Sequence, residues 1–141
     1  MLHIKKIKPL FTSIVTTGNK FEEDLFNGGV LIAQKGDLKL WQTVVAIGSS
    51  VRDIKVGDKV MINIDNFAVR RYSKDSIQND MDNNPVTSYK LNWVSMDGED
   101  GKPVECLLMN DRDVLYTFIG EEIPDKDIKL ILPKEKKLQI N

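Results

Sequence analysis

The chain has 141 residues, 41% of them hydrophobic and 29% charged, and its formal net charge is −1. This length and composition are typical of a globular protein that folds as one domain around a single core. The near-neutral charge, without a sustained basic stretch, excludes the electrostatic pattern of a nucleic-acid-binding protein.

The sequence also argues against a membrane protein and against common kinds of active site. No apolar run approaches the roughly 20 residues that span a bilayer, and no signal-peptide core follows the N-terminal lysines, so a cytoplasmic location is expected. Cys106 is the single cysteine and His3 the single histidine. These counts exclude an internal disulfide, a catalytic arrangement built on a central histidine and a multi-histidine metal site. We therefore expect no enzymatic activity and no cofactor, with Cys106 buried as a small core residue.

Short stretches rich in β-branched residues, separated by turn signals, run along the whole chain. No convincing helical pattern of ten residues interrupts them, so the sequence predicts an all-β fold, a small barrel or sandwich. Within the fourth stretch, Val60, Ile62 and Ile64 alternate on one face. The predicted strands are 11–17, 30–34, 38–47, 60–64, 67–71, one or two within 86–96, 104–109, 114–119 and 128–132.

One stretch between the first two predicted strands has a character of its own. Residues 18–27 are polar and acidic without a clear period, which predicts a loop or, alternatively, a helical turn at 21–26. Gly28 and Gly29 follow, a pair at which the backbone can swing or turn sharply. Val30, Leu31 and Ile32 come next, and they fit either a buried strand or a segment that folds into a partner's groove.

The composition changes again at residues 72–102, which are rich in polar turn residues and predict an insertion. Its acidic group Asp97, Glu99 and Asp100 lacks the ligand order of a calcium loop, so a solvated turn is expected. We predict a single domain over 1–141, with an arm at about 18–36, the insertion at about 72–102 and a C-terminal extension at about 120–141. Four aromatic side chains are expected to lie in the core: Trp41, Phe67, Tyr89 and Trp93.

Five short motifs follow one another over residues 4–71 and 104–119. They are Ile7-Lys8-Pro9-Leu10 with Ile14-Val15, Gly28-Gly29-Val30-Leu31-Ile32, Val44-Val45-Ala46-Ile47-Gly48, Val56-Gly57-Asp58-Lys59-Val60, and Glu105-Cys106-Leu107-Leu108-Met109 with Asp111-Arg112-Asp113-Val114-Leu115. In order and spacing this set resembles the ten-kilodalton co-chaperonins, the GroES family, which cap the chaperonin folding chamber. Each motif is common by itself, and the order of all five makes the resemblance specific. One position departs from the pattern, since Gln42 stands where the family usually has glycine.

The resemblance implies a GroES-like β-barrel that forms a homo-oligomeric ring, expected to be seven-fold, and docks on a GroEL-type chaperonin ring to assist protein folding. By match, Val30, Leu31 and Ile32 are the chaperonin-binding residues, and Gly28 and Gly29 are the hinge of a mobile loop. A flexible arm would pay its ordering entropy on binding, which keeps each contact weak. Several arms on one ring would restore affinity.

Two departures from the family leave an alternative open. Only residues 48–55 stand where the common form has a roof hairpin, as in some bacteriophage-encoded co-chaperonins, and neither the insertion nor the tail has a family counterpart. The alternative is a GroES-like barrel reused as a structural or assembly module without chaperonin binding. In that case residues 30–32 would be a barrel strand. A dehydrogenase-type enzyme with such a domain is not expected from this sequence, in which no cofactor domain follows and the zinc ligands are missing.

Overall fold

The computed structural model describes residues 2–70 and 86–123. Within these ranges the secondary structure is ten β-strands and two short 3-10 turns, without an α-helix, so the all-β prediction is confirmed. The 3-10 turns are Ile64–Phe67 and Asp111–Asp113. The strands are β1 (Ser13–Thr17), β2 (Leu25–Asn27), β3 (Val30–Ala33), β4 (Trp41–Ile47), β5 (Lys59–Ile62), β6 (Ala68–Arg70), β7 (Val86–Tyr89), β8 (Asn92–Asp97), β9 (Pro103–Asn110) and β10 (Val114–Phe118).

Six of the strands form one antiparallel sheet in the order β10-β5-β4-β1-β9-β8. The sheet is open, with β10 and β8 as its two edge strands. β4 joins its two halves, since its first residues pair with β5 and its last residues pair with β1. The remaining strands form two separate hairpins, β2 with β3 and β6 with β7.

The core lies around β1, the central strand. Ile14, Val15 and Thr16 follow one another in β1 and are each 0% exposed, so both faces of this strand are covered. All three are β-branched residues, which pack well on a pleated surface. Leu107 and Met109 of the neighbouring β9 are buried beside it. Beyond β4, a cluster of Val44, Ile54 and Val60 extends the core, with Ile47, Val51 and Val114 packed against it.

Two predicted segments adopt a different kind of structure. β5 ends at Ile62, and Ile64 begins a 3-10 turn instead of continuing the strand, because the amide of Asn66 donates to the carbonyl of Asn63 at 3.1 Å and closes a turn there. The proposed helical turn at 21–26 is replaced by the strand β2, which is paired with β3. The prediction of a strand at 128–132 lies outside the described residues.

The predicted insertion contributes more to the fold than its composition indicates. Its first part, up to residue 85, lies outside the described residues, and β7 follows as the partner of β6. β8 is an edge strand of the main sheet, with all six of its residues paired to β9. Tyr89 and Trp93 are 49% and 39% exposed, so their predicted core placement is wrong. Trp93 lies on an edge strand of the main sheet and Tyr89 on a strand of a two-stranded sheet, which leaves aromatic surface in solvent.

The chain separates into two compact units. One contains the residues up to Asn19 together with Lys39–Phe118, which include the six-stranded sheet. Among the described residues, the other contains Lys20–Leu38 and residues 119–123. Lys20–Leu38 is the segment that the sequence marks as an arm, and it is called the arm below.

A candidate docking arm

The arm contains a β-hairpin with a two-residue turn at its tip. Asn27 of β2 faces Val30 of β3, and Phe26 faces Leu31. Between them Gly28 and Gly29 have φ values of +60° and +82°. Two consecutive positive φ values are the signature of a type I′ turn, the connection that best matches strand twist. The glycine pair predicted as a hinge therefore forms the turn itself.

Large apolar side chains are exposed around this turn. Val30, Leu31 and Ile32 are 66%, 40% and 56% exposed, and Phe26 is 52% exposed. Phe26 and Leu31 are cross-strand partners and share one face of the hairpin, whereas Val30, next to Leu31, lies on the other face. Both faces of the tip are thus apolar. Contiguous exposed apolar surface of this kind marks an interaction site.

Backbone hydrogen bonds close the other end of the arm. The amide of Phe21 donates to the carbonyl of Asp37 at 2.8 Å, and the amide of Gly36 donates to the carbonyl of Phe21 at 2.8 Å. One residue further out, Lys20 and Leu38 form an antiparallel bridge. The arm is therefore paired near its tip and at its base, where the sequence predicts a loop for its first half.

Two acidic side chains of the arm act as hydrogen-bond acceptors within it. Oδ1 of Asp24 accepts from the amide of Lys35 at 2.7 Å, and Oδ2 of Asp37 accepts from the amide of Gln34 at 2.9 Å. Carboxylates that satisfy backbone amides in this way stabilise turns. The acidic character of this stretch thus contributes to its folded shape.

A buried glutamine lies where the chain leaves the sheet unit and returns to it. Gln42 of β4 is 2% exposed. Its Oε1 accepts from Oγ1 of Thr17 at 2.8 Å and from the amide of Asn19 at 2.9 Å. Its Nε2 donates to the carbonyls of Asn19 and Lys39, at 2.9 Å and 2.7 Å. The sequence marks Gln42 only as a departure from the family's glycine, and gives no signal for these contacts.

The chemistry of the other singled-out residues is limited. Burial raises the pKa of the Cys106 thiol, which is only 6% exposed. His3 is exposed and its Nδ1 lies 3.4 Å from Oδ1 of Asp97. Within residues 2–70 and 86–123, no three His, Cys, Asp or Glu side chains are arranged to hold a metal ion. Over the same ranges, no helix has the length and apolar character needed to cross a membrane.

The structure brings the predicted binding residues together on one element. Val30, Leu31 and Ile32 lie on β3, directly after the turn made by Gly28 and Gly29. Phe26 joins them from β2, a contribution that sequence reasoning missed because strand β2 itself was not predicted. Comparison with family models and with curated proteins gave no match. The likeness to co-chaperonins therefore depends on the five motifs.

Proposed function

We propose that this chain is a co-chaperonin of the GroES type, a cap without enzymatic activity that docks on a GroEL-type chaperonin ring. The observation that carries the proposal is the exposure of Val30, Leu31 and Ile32 next to a glycine turn. In a protein with a well-formed core, three adjacent large aliphatic side chains remain in solvent at a cost unless a partner covers them. The resemblance of this stretch to the family's mobile-loop motif supports the apical groove of a chaperonin as that partner.

The energetics of such docking favour many weak contacts over one strong contact. Full burial of an aliphatic side chain contributes about 1.5–3 kcal/mol, and part of this is offset by ordering the arm and the partner's groove. A single arm therefore binds weakly and releases readily. Arms joined in one ring bind with avidity, because each further contact is intramolecular.

The proposed assembly is a homo-oligomeric ring, with seven-fold symmetry expected from the resemblance. Its supporting feature is the edge strand β10, on which Leu115 and Tyr116 are 58% and 52% exposed. At the opposite edge, Ile4 bridges Met96 of β8 within the same chain. We therefore expect β10 to provide the apolar edge for a neighbouring subunit. The proposal includes a cytoplasmic location, in which a chaperonin would be met.

The change Leu31→Asp tests this function. A carboxylate in an apolar groove is desolvated without a partner, so we expect the variant ring to lose binding to a chaperonin in the presence of nucleotide by about 100-fold or more. Binding is measured by co-migration on sizing with light scattering. Val104→Asp serves as the control, because Val104 on β9 is 49% exposed and lies outside the arm. Undiminished co-migration of Leu31→Asp would reject the proposal.

The closed base of the arm favours a second candidate, a structural or assembly module. A docking arm does not require the pairing of Phe21 with Asp37 and Gly36 that the structure contains. As a module, the unaltered protein would show no nucleotide-dependent association with a chaperonin. The sizing experiment on the unaltered protein therefore separates the two candidates before any variant is made.

A further inference from the structure

We propose that Gln42 is a positioning residue for the arm. Its side chain ties the residue before the arm to the residue after it by hydrogen bonds. Asn19 is the last residue before the arm and Lys39 the first after it. The side-chain amide of Gln42 contacts the backbone of both. The importance of this tie for chaperonin docking rests on the proposed function, whereas its effect on the base of the arm does not.

The hydrogen-bonding capacity of Gln42 is fully used by this tie. A glutamine amide offers two N–H donors and an oxygen with two lone pairs. Both kinds of group are occupied, with donation to the carbonyls of Asn19 and Lys39 and acceptance from Thr17 Oγ1 and the Asn19 amide. Thr17 Oγ1 also accepts from the Thr43 amide at 3.0 Å, which fixes the hydroxyl in turn. Glutamate lacks the donors and methionine lacks both, so neither can replace the amide.

Burial of this polar side chain is difficult to explain by core stability alone. An apolar residue at a buried strand position would contribute its burial without the desolvation cost of an amide. The amide instead joins two segments that are distant in sequence, and the amide of Lys39 adds a direct bond to the carbonyl of Asn19 at 3.0 Å. The next pair along the chain is the Lys20–Leu38 bridge, so pairing of the arm begins from ends that are already held together.

Because the base of the arm is closed by hydrogen bonds, the arm loses less conformational entropy when it binds. Pre-organisation of a binding segment increases affinity mainly by reducing the cost of ordering it. With its ends tied by Gln42 and its tip turned by two glycines, the arm presents Val30, Leu31 and Ile32 from a closed hairpin. The residue that replaces the family's glycine therefore tunes how tightly each arm docks.

The variant Gln42→Met tests the tie without introducing a charge. We expect amide hydrogen exchange at Phe21 and Gly36, the closing pair of the arm's base, to become about tenfold faster or more, since several bonds at its root are lost. Exchange at Val15 and Leu108, which are paired in the centre of the sheet, should remain slow. Unchanged exchange at Phe21 and Gly36 would overturn the proposal. Equal acceleration at all four amides would also overturn it, because Gln42 would then act on global stability.

An engineered disulfide at the base of the arm tests whether closing the base restores slow amide exchange. Lys20 and Leu38 are partners in an antiparallel bridge, and such partners lie within the distance that a disulfide spans. In the triple variant Gln42→Met, Lys20→Cys, Leu38→Cys, oxidation should return slow exchange to Phe21 and Gly36, and reduction should remove it. The reduced form of the same protein is the control. Fast exchange in the oxidised form would show that Gln42 does not act by closing the base.

Docking is measured on the same proteins. We expect Gln42→Met to weaken binding to a chaperonin ring with nucleotide by about tenfold per arm, and the oxidised triple variant to regain it. Docking that is unaffected by Gln42→Met while the base opens would overturn the link between the tie and affinity. If the unaltered protein does not bind a chaperonin at all, the proposed function fails, and the exchange results alone decide the role of Gln42.

Discussion

At the scale of single residues, close packing explains the glycine at position 18. A Cβ atom added there would lie 2.6 Å from Cζ3 of Trp93 and 2.8 Å from the backbone oxygen of Glu105. Both distances are shorter than a carbon atom tolerates. Trp93 and Glu105 belong to β8 and β9, so this glycine lets the chain pass close to the two strands at one edge of the sheet.

We expect Gly18→Ala to destabilise the protein by about 1–3 kcal/mol, the usual cost of overpacking. The tryptophan ring is partly exposed and can shift, but the carbonyl of Glu105 is part of a paired strand and cannot. The denaturant midpoint should fall with an unchanged m-value. In the double variant Gly18→Ala, Trp93→Ala the added cost of the alanine should shrink but persist. A midpoint equal to that of the unaltered protein would show that the strand moves freely.

At the scale of secondary-structure elements, the arm contains one strand that the sequence pattern predicted and one that it missed. The run Val30, Leu31, Ile32 predicted β3, because three large aliphatic residues in a row have strong strand propensity. β2 was missed, since it has only three residues and follows an acidic stretch that resembles a loop. The turn at Gly28 and Gly29 brings β2 against β3. The local sequence does not fix the conformation of these two glycines, which is set by the hairpin.

The role of Gln42 and the end of β5 likewise depend on contacts that local sequence patterns do not show. Gln42 acquires its role from Asn19 and Lys39, two residues that only the fold brings together. Ile64 continues an apolar alternation that local reasoning extends, but the turn closed by the Asn66 amide on the Asn63 carbonyl ends the strand. The side chain of Asn66 also donates to Oδ1 of the distant Asp113. Local propensity therefore predicted the strands of the sheet, whereas hydrogen bonds that the pattern does not show decided where β5 ends and how the arm is closed.

The turn of the arm can be tested through backbone strain alone. Apart from the residues next to it in the chain, no atom of the described residues lies within 4 Å of a Cβ built at Gly28 or Gly29, so alanine there meets no steric obstacle within that part of the structure. Its cost is the left-handed conformation, about 1–2 kcal/mol for each residue. We expect Gly28→Ala, Gly29→Ala to open the hairpin and to speed amide exchange at Asn27 and Val30, the pair that flanks the turn and exchanges its hydrogen bonds.

The single variant Gly28→Asn is the control for that experiment, because Asn-Gly is the preferred sequence for a type I′ turn. It should leave exchange at Asn27 and Val30 close to that of the unaltered protein. Slow exchange in the double alanine variant would show that the strand pairing, not the turn, holds the hairpin.

At the scale of the whole molecule, the six-stranded sheet is open and has two edge strands, β10 and β8. An edge strand presents unpaired backbone groups, and proteins usually protect such edges with charges, bulges or another segment. Lys59 of β5 lies next to β10 in the ladder, but β10 itself, Val114–Phe118, contains no charged residue. An uncharged edge with Leu115 and Tyr116 exposed is suited to pairing with a second copy of the chain.

We expect Leu115→Lys to prevent assembly of the proposed ring. A lysine on β10 of every subunit places a charge in each interface, where burial without a partner is costly. Light scattering on sizing should then give the mass of the single chain, 16.0 kDa, in place of a multiple of it. Val45→Lys is the matched control, because Val45 is 40% exposed on β4, a strand with a neighbour on either side. If both variants retain the mass of the unaltered protein, β10 is not the contact between subunits, and a ring would have to close through another surface.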